Sequence, residues 1–486
     1  MGSQTAEILF KMHSGNAMSN NNETTTFAQQ LRSDPRLSQA KQLILDTVAD
    51  YQQHIVNVRP AKPELELAYQ QMLDAFGEIR GGSLYFPYLA SGLGNGPFVE
   101  LADGSVKLDM ITGIGVHGYG HSHPRLVEAG IDAALSDTVM QGNLQQGTES
   151  FELVKLLTAT ANESGAHLNH CFLSTSGAMA NENSLKIAFQ KNQPANRVVA
   201  FSHCFAGRTL ALSQVTDKPG NRVGLPDTIA VDYIPFYRAD DPAGSTESAV
   251  NHLKWQIERH PGKIAALWME LVQGEGGYYE GSREFFQALS TVARENQIAV
   301  IADEVQTFGR TSRLFAFQHF ELDQHVDLVT IGKISQVCAT LYTDDYKPKP
   351  GLISQTFTGS SWAIIAANSI IRGLIDHGHF GKDGRNMQLH AYFQAGLQQI
   401  SERLPQAVAG PYGIGGMVAF TPFKGELEKA KEMVNRMYHT GLMSFIAGSD
   451  PVRIRFLMPL GSVEERHIDL ACQIIEQVAE EMNAEA

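Results

Sequence analysis

Two runs of apolar, β-branched residues stand out in the pattern of hydrophobic and polar positions. They read IAVIA and VDLVTI, and both lie within residues 297–337. Each run is continuous in Val and Ile rather than alternating, which is typical of strands in a parallel sheet buried on both faces. Asp303 closes the first run, and Lys333 follows the second within two residues. Because ligands in open α/β sheets bind beyond the carboxyl ends of the strands, we expect both side chains to face one site.

From residue 124 onward, helical and strand patterns alternate along the chain. Residues 171–190 predict a strand, a tight turn and a helix, residues 197–212 another strand entering a glycine turn, and residues 264–277 a buried strand that ends at a carboxylate. This alternation predicts an α/β fold with a mostly parallel sheet covered on both faces. Residues 216–250, rich in Pro, Gly and Asp, are expected to form an irregular surface excursion.

The pattern changes towards both ends of the chain. Helical periodicity near the start is followed by FVELADGSVKLDMIT, which predicts a hairpin turned at Asp103–Gly104. We expect a disordered tail at 1–33, an N-terminal segment with a helical arm and small-domain strands at 34–123, a large domain at 124–374 and a C-terminal α+β domain at 375–486. The tail is rich in Asn, Thr and Ser, lacks the apolar core of a signal peptide and contains Met18, a candidate native start.

Composition narrows the class of protein. Of 486 residues, 43% are hydrophobic and 19% charged, which is ordinary for a globular enzyme of more than one domain. The formal net charge of −14 disfavours nucleic acid or an anionic membrane as a partner, since either would need a basic patch. No apolar run reaches the length of a membrane span. Four scattered cysteines without metal-binding spacing predict reduced thiols in a cytoplasmic protein.

The carboxylate and the amine at the two strand ends suggest a specific chemistry. A carboxylate can hold a pyridinium nitrogen and an amine can form a Schiff base, so together they suit pyridoxal phosphate. Two surface side chains at strand ends are the alternative. The turn Ser176–Gly177–Ala178 precedes a helix, and its uncovered amides suit an anion such as phosphate. Here the alternative is a simple N-cap by Ser176.

Other candidate residues sit on the loops after the strands. Phe205 suits stacking on a flat ring, and Arg208 suits bidentate binding of a carboxylate. The glycine-rich loop at 113–124 carries three histidines, but no carboxylate or cysteine stands at a fixed spacing from them. We therefore expect no metal site.

The order of motifs resembles that of the class III (ω-amino acid:2-oxo acid) aminotransferases, which are pyridoxal-phosphate enzymes of fold type I. The resemblance covers residues from about 84 to the end of the chain. Its motifs are GIGVHGYGHSHP, STSGAMANE, FAGRT, MELVQGEGG, DEVQTFGRT, the lysine of TIGK, QTFTG and RIRFLMPL. The stretch GKISQVCA is most similar to the lysine-ε- and 4-aminobutyrate-aminotransferase branch. The family's fold is a large domain with a mostly parallel seven-stranded sheet, plus a smaller α+β domain built from the N- and C-terminal segments.

The resemblance implies a set of cofactor contacts. Lys333 would carry the cofactor as a Schiff base and then move the proton, while Asp303 would pair with the pyridine nitrogen and keep the ring an electron sink. The remaining contacts would come from Gly177 and Ala178 to the phosphate, Gln306 to the 3-oxygen, Val305 and Phe205 to the two ring faces, and Thr356 of the partner subunit. The last contact implies a homodimer with shared active sites, or a tetramer built from such dimers.

The resemblance also implies a substrate class. Arg208 and Arg455 match positions that bind the two carboxylates of glutamate or 2-oxoglutarate, and Glu275 matches the acidic partner of the second arginine. Such a pair neutralises a buried charge when the amino donor has no carboxylate at that end. A surface arginine is the alternative for Arg455, since VRIRF alternates. Ile114 falls where the family lines its substrate pocket, which favours a simple ω-amino acid such as 4-aminobutyrate, lysine or ornithine.

Departures from the family pattern concern substrate choice. Leu271 replaces a usual proline, Ala206 a histidine, and DEVQTFGR lacks one glycine. We expect an aminotransferase that moves a terminal amino group from an ω-amino acid or diamine to a 2-oxo acid, with 2-oxoglutarate as the acceptor. The alternatives are a decarboxylase, racemase or aminomutase of the same fold, and a non-catalytic scaffold.

Overall fold

The computed structural model describes residues 25–485 as two compact units, one ending at Tyr51 and the other beginning at Gln52. In the first unit, Thr26 and Gln29 form a capping box: the Thr26 amide donates to the Gln29 side chain at 2.8 Å, and the Gln29 amide donates to the Thr26 hydroxyl at 3.3 Å. A helix therefore begins inside the tail that we expected to be disordered, so the boundary at residue 33 is wrong. Residues 1–24, with Met18, lie outside the described residues.

The helices and strands are as follows. The helices are α1 Phe27–Arg32, α2 Pro35–Gln52, α3 Pro63–Arg80, α4 Thr112–Gly115, α5 Pro124–Ala134, α6 Thr148–Ala161, α7 Gly177–Lys191, α8 Leu212–Val215, α9 Pro242–Arg259, α10 Arg283–Glu295, α11 Ala316–His319, α12 Ser361–Asp376, α13 Arg385–Arg403, α14 Leu427–Thr440 and α15 Glu465–Ala484. The strands are β1 Ala90–Asn95, β2 Phe98–Leu101, β3 Val106–Asp109, β4 Met140–Gln141, β5 His170–Ser174, β6 Arg197–Phe201, β7 Ala230–Ile234, β8 Ile264–Glu270, β9 Val272–Gln273, β10 Tyr279–Glu280, β11 Ala299–Glu304, β12 Leu328–Ile331, β13 Cys338–Tyr342, β14 Gly359–Ser360, β15 Val408–Tyr412, β16 Met417–Pro422, β17 Leu442–Met443, β18 Phe445–Ala447 and β19 Arg453–Leu457.

A seven-stranded sheet with the order β5-β13-β12-β11-β8-β6-β7 forms the centre of the second unit. Its neighbouring strands run parallel except for β13, which is antiparallel to both β5 and β12. Every residue of β8, β11 and β12 is buried, so both faces of the sheet are covered. Helix α7 packs on β12 and β13, and α10 packs on β8 and β11. The predicted mostly parallel sheet is confirmed.

Two four-stranded sheets lie outside the central one. One has the order β15-β16-β19-β18 and packs with helices α13 and α14. The other has the order β1-β2-β3-β17, in which β17 of the C-terminal segment pairs in parallel with β3. The predicted hairpin is present as β2 and β3. N- and C-terminal segments therefore share a sheet, as the resemblance implied for the smaller α+β part.

Residues 216–250 are not irregular throughout. They contain β7, which forms an edge of the central sheet, and the first half of α9. The Pro and Asp residues that suggested a loop begin this helix, because Asp241 caps it by accepting from the Gly244 amide at 3.1 Å and Pro242 is its first residue. Within residues 25–485, no helix is both long and apolar enough to cross a membrane.

Candidate active site

A cavity of about 420 Å³ opens at the carboxyl ends of the central strands. Its lining residues are Val116, Thr175, Gly177, Ala178, Asn181, Phe205, Ala206, Gly207, Glu270, Val272, Glu275, Asp303, Val305, Gln306, Thr307, Lys333, Gln336 and Cys338. Most of them lie at or soon after the carboxyl ends of β5, β6, β8, β11 and β12, so the parallel sheet brings together positions that are far apart in sequence. Eight of the thirteen predicted site residues are among them.

Asp303 and Lys333 lie at the same rim, as their positions after two strands predicted. Asp303 pairs with Thr330 in the parallel β11–β12 ladder, and Lys333 follows β12 with a left-handed backbone (φ 56°). That conformation is uncommon for a residue with a side chain, and it occurs where function or packing fixes the chain. Burial lowers the pKa of the Lys333 amine, and the nearby Arg455 guanidinium lowers it further.

The Asp303 carboxylate is buried and has two hydrogen-bond donors. It accepts from the Asn181 side-chain amide at 2.8 Å and from the Val305 backbone amide at 3.0 Å. Burial raises the pKa of Asp303 to about 6, although these two donors oppose the shift. A cation at this position would find a charged, fixed partner, which is what a pyridinium nitrogen requires.

The turn before helix α7 suits an anion. Ser176 is the N-cap, since its hydroxyl accepts from the Met179 amide at 3.2 Å. The amides of Gly177 and Ala178 stand in the first turn, where a helix provides no acceptor for them, and both residues line the cavity. A Cβ atom at Gly177 would lie 2.7 Å from Val305 Cγ1, so only glycine leaves the cavity wall in place. These residues fit a phosphate group, with Ser176 acting as a cap.

Phe205, Val305 and Gln306 line the space between the anion end and the strand ends. The Phe205 amide donates to Glu270 at 2.7 Å, which fixes the turn that carries this ring. Taken with the buried carboxylate, the amine and the free helix amides, this set of groups fits pyridoxal phosphate. Among residues 25–485, no group of three or more His, Cys, Asp or Glu side chains is arranged to hold a metal ion.

Arg455 lies in the interior and is not a surface residue. Its guanidinium is fully buried, forms an ion pair with Glu275 and donates to the Gly274 carbonyl at 3.0 Å and towards the Gln306 side chain at 3.4 Å. Burial acts to raise the pKa of Glu275, but Arg455 outweighs it and the net shift is downward. Glu275 is therefore held as a carboxylate beside the cavity.

Besides Ser176 and Arg455, whose positions are given above, three more of the predicted residues do not line this cavity. Arg208 is exposed on the turn after β6, and Ile114 lies in the glycine-rich loop with a left-handed backbone (φ 61°). Thr356 is exposed on the segment that pairs with residues 141–143. Roles for these residues stay predictions, and for Thr356 the expected site is that of a partner subunit.

Two buried polar residues that line the site are not among the site residues predicted from the sequence. Asn181 is one turn into helix α7 and orients Asp303. Glu270 ends β8, much as Asp303 lies near the end of β11. Burial raises the pKa of Glu270 to about 8. The signal for Glu270 was its place at the end of an apolar run, whereas nothing in the sequence distinguished Asn181 from an exposed helix residue.

Fold and site together define a pyridoxal-phosphate-dependent transferase. The family model for aminotransferase class III matches residues 87–479, so the chain belongs to the class III aminotransferases, which depend on pyridoxal phosphate. The resemblance, the fold class, the enzyme class and the cofactor are thereby confirmed.

Individual relatives agree with this family. Acetylornithine aminotransferase of Caldanaerobacter subterraneus is 28% identical, over 80% of this chain and 94% of that protein. A probable 4-aminobutyrate aminotransferase of Bacillus subtilis is 29% identical, over 76% and 87%. Among solved structures, lysine aminotransferase from M. tuberculosis has a TM-score of 0.74 at 24% identity, covering 84% of this chain and 98% of that one. Ornithine aminotransferase from Toxoplasma gondii has a TM-score of 0.72 at 23% identity, covering 86% and 99%.

Proposed function

We propose that this aminotransferase moves the terminal amino group of an ω-amino acid or diamine to 2-oxoglutarate. The observation that carries the proposal is the buried Arg455–Glu275 pair beside the cavity that holds Lys333 and Asp303. The names of relatives support the donor class, since they include acetylornithine, 4-aminobutyrate and diaminobutyrate aminotransferases. Within the family we place the chain nearest the lysine-ε- and 4-aminobutyrate-aminotransferase branch.

The chain's own residues have distinct tasks in this reaction. Pyridoxal phosphate, when bound, supplies a ring that withdraws electrons from the reacting carbon of the substrate. Lys333 would bind the cofactor and then move a proton with its amine, whose pKa burial has lowered. Asp303 would hold the ring nitrogen protonated, and Gln306 would bind the 3-oxygen. Gly177 and Ala178 would bind the phosphate through backbone amides, while Phe205 and Val305 would contact the two faces of the ring.

The Arg455–Glu275 pair lets one site serve two unlike substrates. An acceptor with a distal carboxylate binds Arg455, whereas a donor with an apolar chain at that end meets the neutral ion pair. Without Glu275, the buried guanidinium of Arg455 would be left unpaired, at a cost on the order of several kcal/mol. Arg208 is assigned to the other carboxylate, and Ile114 to the wall against the donor chain.

We also propose a homodimer with shared active sites. Exposed apolar side chains surround the β4–β14 ladder, next to which Thr356 lies. They are Val139, Met140, Leu144, Phe357 and Trp362. A concentration of exposed apolar side chains is typical of a protein contact, and a second copy that covers it would receive Thr356 into its own site. We further propose that the segments of the chain divide at residues 123 and 374. A cytoplasmic location is also proposed.

The experiment is a substrate panel with purified enzyme. 4-Aminobutyrate, β-alanine, ornithine, N-acetylornithine, lysine and putrescine are each tested with 2-oxoglutarate and with pyruvate. We expect an ω-amine to react and 2-oxoglutarate to be preferred, whereas a preference for pyruvate would contradict the role of Arg455. A single-turnover reaction that leaves pyridoxamine phosphate and a 2-oxo acid separates transamination from decarboxylation or racemisation. Lys333→Ala must lose the visible absorbance of the lysine-bound cofactor.

A further inference from the structure

Glu275 lies between two cavities. It lines the inner cavity with Asp303 and Lys333, and it also lines an outer cavity of about 750 Å³ on its other side. The Glu275 carbonyl accepts from the Gly448 amide at 2.8 Å, so the backbone at this position is fixed. The carboxylate can therefore change its partner only by rotation of its own side chain, and the outer cavity offers the space for that rotation.

Lys218 faces Glu275 from the outer cavity. Its Nζ atom lies 3.7 Å from Glu275 Oε2, while the other carboxylate oxygen, Oε1, is the one paired with Arg455. Within residues 25–485, Glu275 is the carboxylate at ion-pair distance from Lys218. The lysine side chain is 41% exposed and that of Glu275 is 19% exposed. Lys218 thus reaches the carboxylate from solvent without entering the inner cavity.

The backbone that carries Lys218 is tied to the wall of the inner cavity. The Lys218 amide donates to the Thr216 carbonyl at 2.9 Å. The buried Thr216 hydroxyl in turn accepts from the Ala206 amide at 3.0 Å and donates to the Gly207 carbonyl at 2.9 Å. Ala206 and Gly207 line the inner cavity, so the position of Lys218 is fixed relative to the site.

The charges of the three side chains require a second partner for Glu275. When a distal carboxylate binds Arg455, Glu275 loses its partner in a largely buried place, and an unpaired buried charge is costly. Arg455, Lys218 and Glu275 together carry a net charge of +1, so one added carboxylate makes the set neutral. Arg455 then pairs with the ligand and Lys218 with Glu275.

We propose that Lys218 is a positioning residue that holds Glu275 when a dicarboxylic 2-oxo acid displaces it from Arg455. This inference rests on the proposed function, because it takes Arg455 as the site of the distal carboxylate. Lys218 would then set the preference for dicarboxylic over monocarboxylic acceptors without touching either of them.

The test measures the binding of two unreactive probes to the holoenzyme by calorimetry. Glutarate carries a distal carboxylate and butyrate lacks it. We expect K218M to weaken glutarate binding about threefold to fivefold, which is the upper range for a part-exposed ion pair, and to leave butyrate binding unchanged. K218R keeps the charge and should retain most of the glutarate affinity. In an E275A background, K218M should no longer alter glutarate binding, because Lys218 acts through Glu275.

Two results would overturn the role of Lys218 alone. One is an equal loss of glutarate and butyrate affinity in K218M, which would indicate general attraction of anions. The other is an unchanged preference for glutarate in K218M. A wild-type enzyme that binds both probes equally would instead refute the proposed acceptor class, so the two failures are distinguishable. The melting temperature of each variant shows whether it is folded.

Discussion

Burial shifts the pKa values of the two central groups in opposite directions. It raises the pKa of the Asp303 carboxyl to about 6 and lowers that of the Lys333 amine, so both groups are moved towards their neutral forms. A neutral amine is the nucleophilic form, and a buried carboxylate gains stability from a cation beside it. These shifts suit the roles proposed for the two residues, Lys333 as a nucleophile and Asp303 as the counter-ion of a pyridinium nitrogen.

Asp303→Asn should stabilise the cofactor-free protein relative to the wild type, and this difference should increase as the pH rises. The Asp303 carboxyl is harder to ionise in the folded protein than in the unfolded chain, so its ionisation between about pH 4 and pH 7 lowers the free energy of unfolding. The variant has no carboxyl group to ionise at this position. The difference between its free energy of unfolding and that of the wild type should therefore grow by on the order of 1 kcal/mol from pH 5 to pH 8. Urea unfolding at the two pH values measures the difference.

The same substitution should act in the opposite sense on the loaded enzyme. With cofactor bound, the carboxylate has a cationic partner, and Asp303→Asn should abolish transamination and lower the melting temperature of the holoenzyme. Equal effects of the substitution on the cofactor-free and loaded proteins would contradict the assignment of Asp303 to the ring nitrogen.

Glu275→Gln should slow the donor half-reaction selectively. A neutral glutamine leaves the fully buried Arg455 unpaired when an ω-amine occupies the site. We expect kcat/KM for the donor to fall about 10- to 100-fold, while the half-reaction with 2-oxoglutarate, which pairs Arg455 itself, changes much less. Stopped-flow absorbance follows each half-reaction.

A second substitution serves as the control for this prediction. Glu275→Gln combined with Arg455→Met removes the unpaired charge and should recover part of the donor rate. Equal slowing of both half-reactions in Glu275→Gln would contradict a role limited to the donor.

Among single residues, the sequence predicts those site residues that lie at strand ends or in turns. Asp303, Lys333 and the Gly177–Ala178 turn could be placed because a buried run or a small-residue turn marks each of them. Asn181 could not, because its role depends on the rotation of helix α7 over the sheet. The exposure of Arg208 likewise depends on the course of a loop that no periodicity reports.

At the scale of elements, the contact between helix α7 and the end of strand β11 shapes the anion end of the cavity. The first residue of the helix, Gly177, faces Val305, which follows β11, and an added Cβ would lie 2.7 Å from it. This close approach lets the helix amides and the strand-end carboxylate line one cavity.

Gly177→Ala should weaken cofactor binding without unfolding the protein. Alanine favours the helix, but its methyl group displaces Val305 into the cavity, and we expect the Kd of pyridoxal phosphate to rise about tenfold. Val305→Ala in the same chain provides the space and should restore part of the affinity. Gly82→Ala, where no atom lies within 4 Å of the added Cβ, is the control and should have no effect. A Gly177→Ala enzyme that binds cofactor normally would contradict this packing.

Helices and strands with a clear hydrophobic pattern could be predicted from the sequence. Those whose residues are typical of both loops and regular structure could not. The buried strands β8, β11 and β12 are continuous apolar runs, and the sequence predicts all three. It does not predict strand β13, CATLY, because that hydrophobic run is short and follows an irregular turn. It does not predict strand β7 or helix α9 either, because Pro and Asp also mark loops, and only the tertiary structure decides between a loop and a helix start.

At the scale of the whole molecule, the proposed homodimer requires a surface that a single chain leaves exposed. Val139, Met140, Leu144, Phe357 and Trp362 are exposed around the β4–β14 ladder, and Leu144 is 98% exposed. A side chain with so few contacts in its own chain contributes little to the fold of that chain. Its replacement therefore tests the proposed dimer separately from folding.

Leu144→Glu should convert the dimer to a monomer with little change in the stability of the subunit. A charge within the proposed apolar contact would be buried unpaired in the dimer but solvated in the monomer. We expect the sedimentation coefficient to fall to that of a monomer and transamination to be lost, because Thr356 no longer reaches the second site. Leu427→Glu is the matched control, since Leu427 is 45% exposed at the start of helix α14 and a carboxylate is favourable there. A Leu144→Glu protein that stays dimeric and active would place the dimer contact elsewhere, whereas an active monomer would show that each chain holds a complete site.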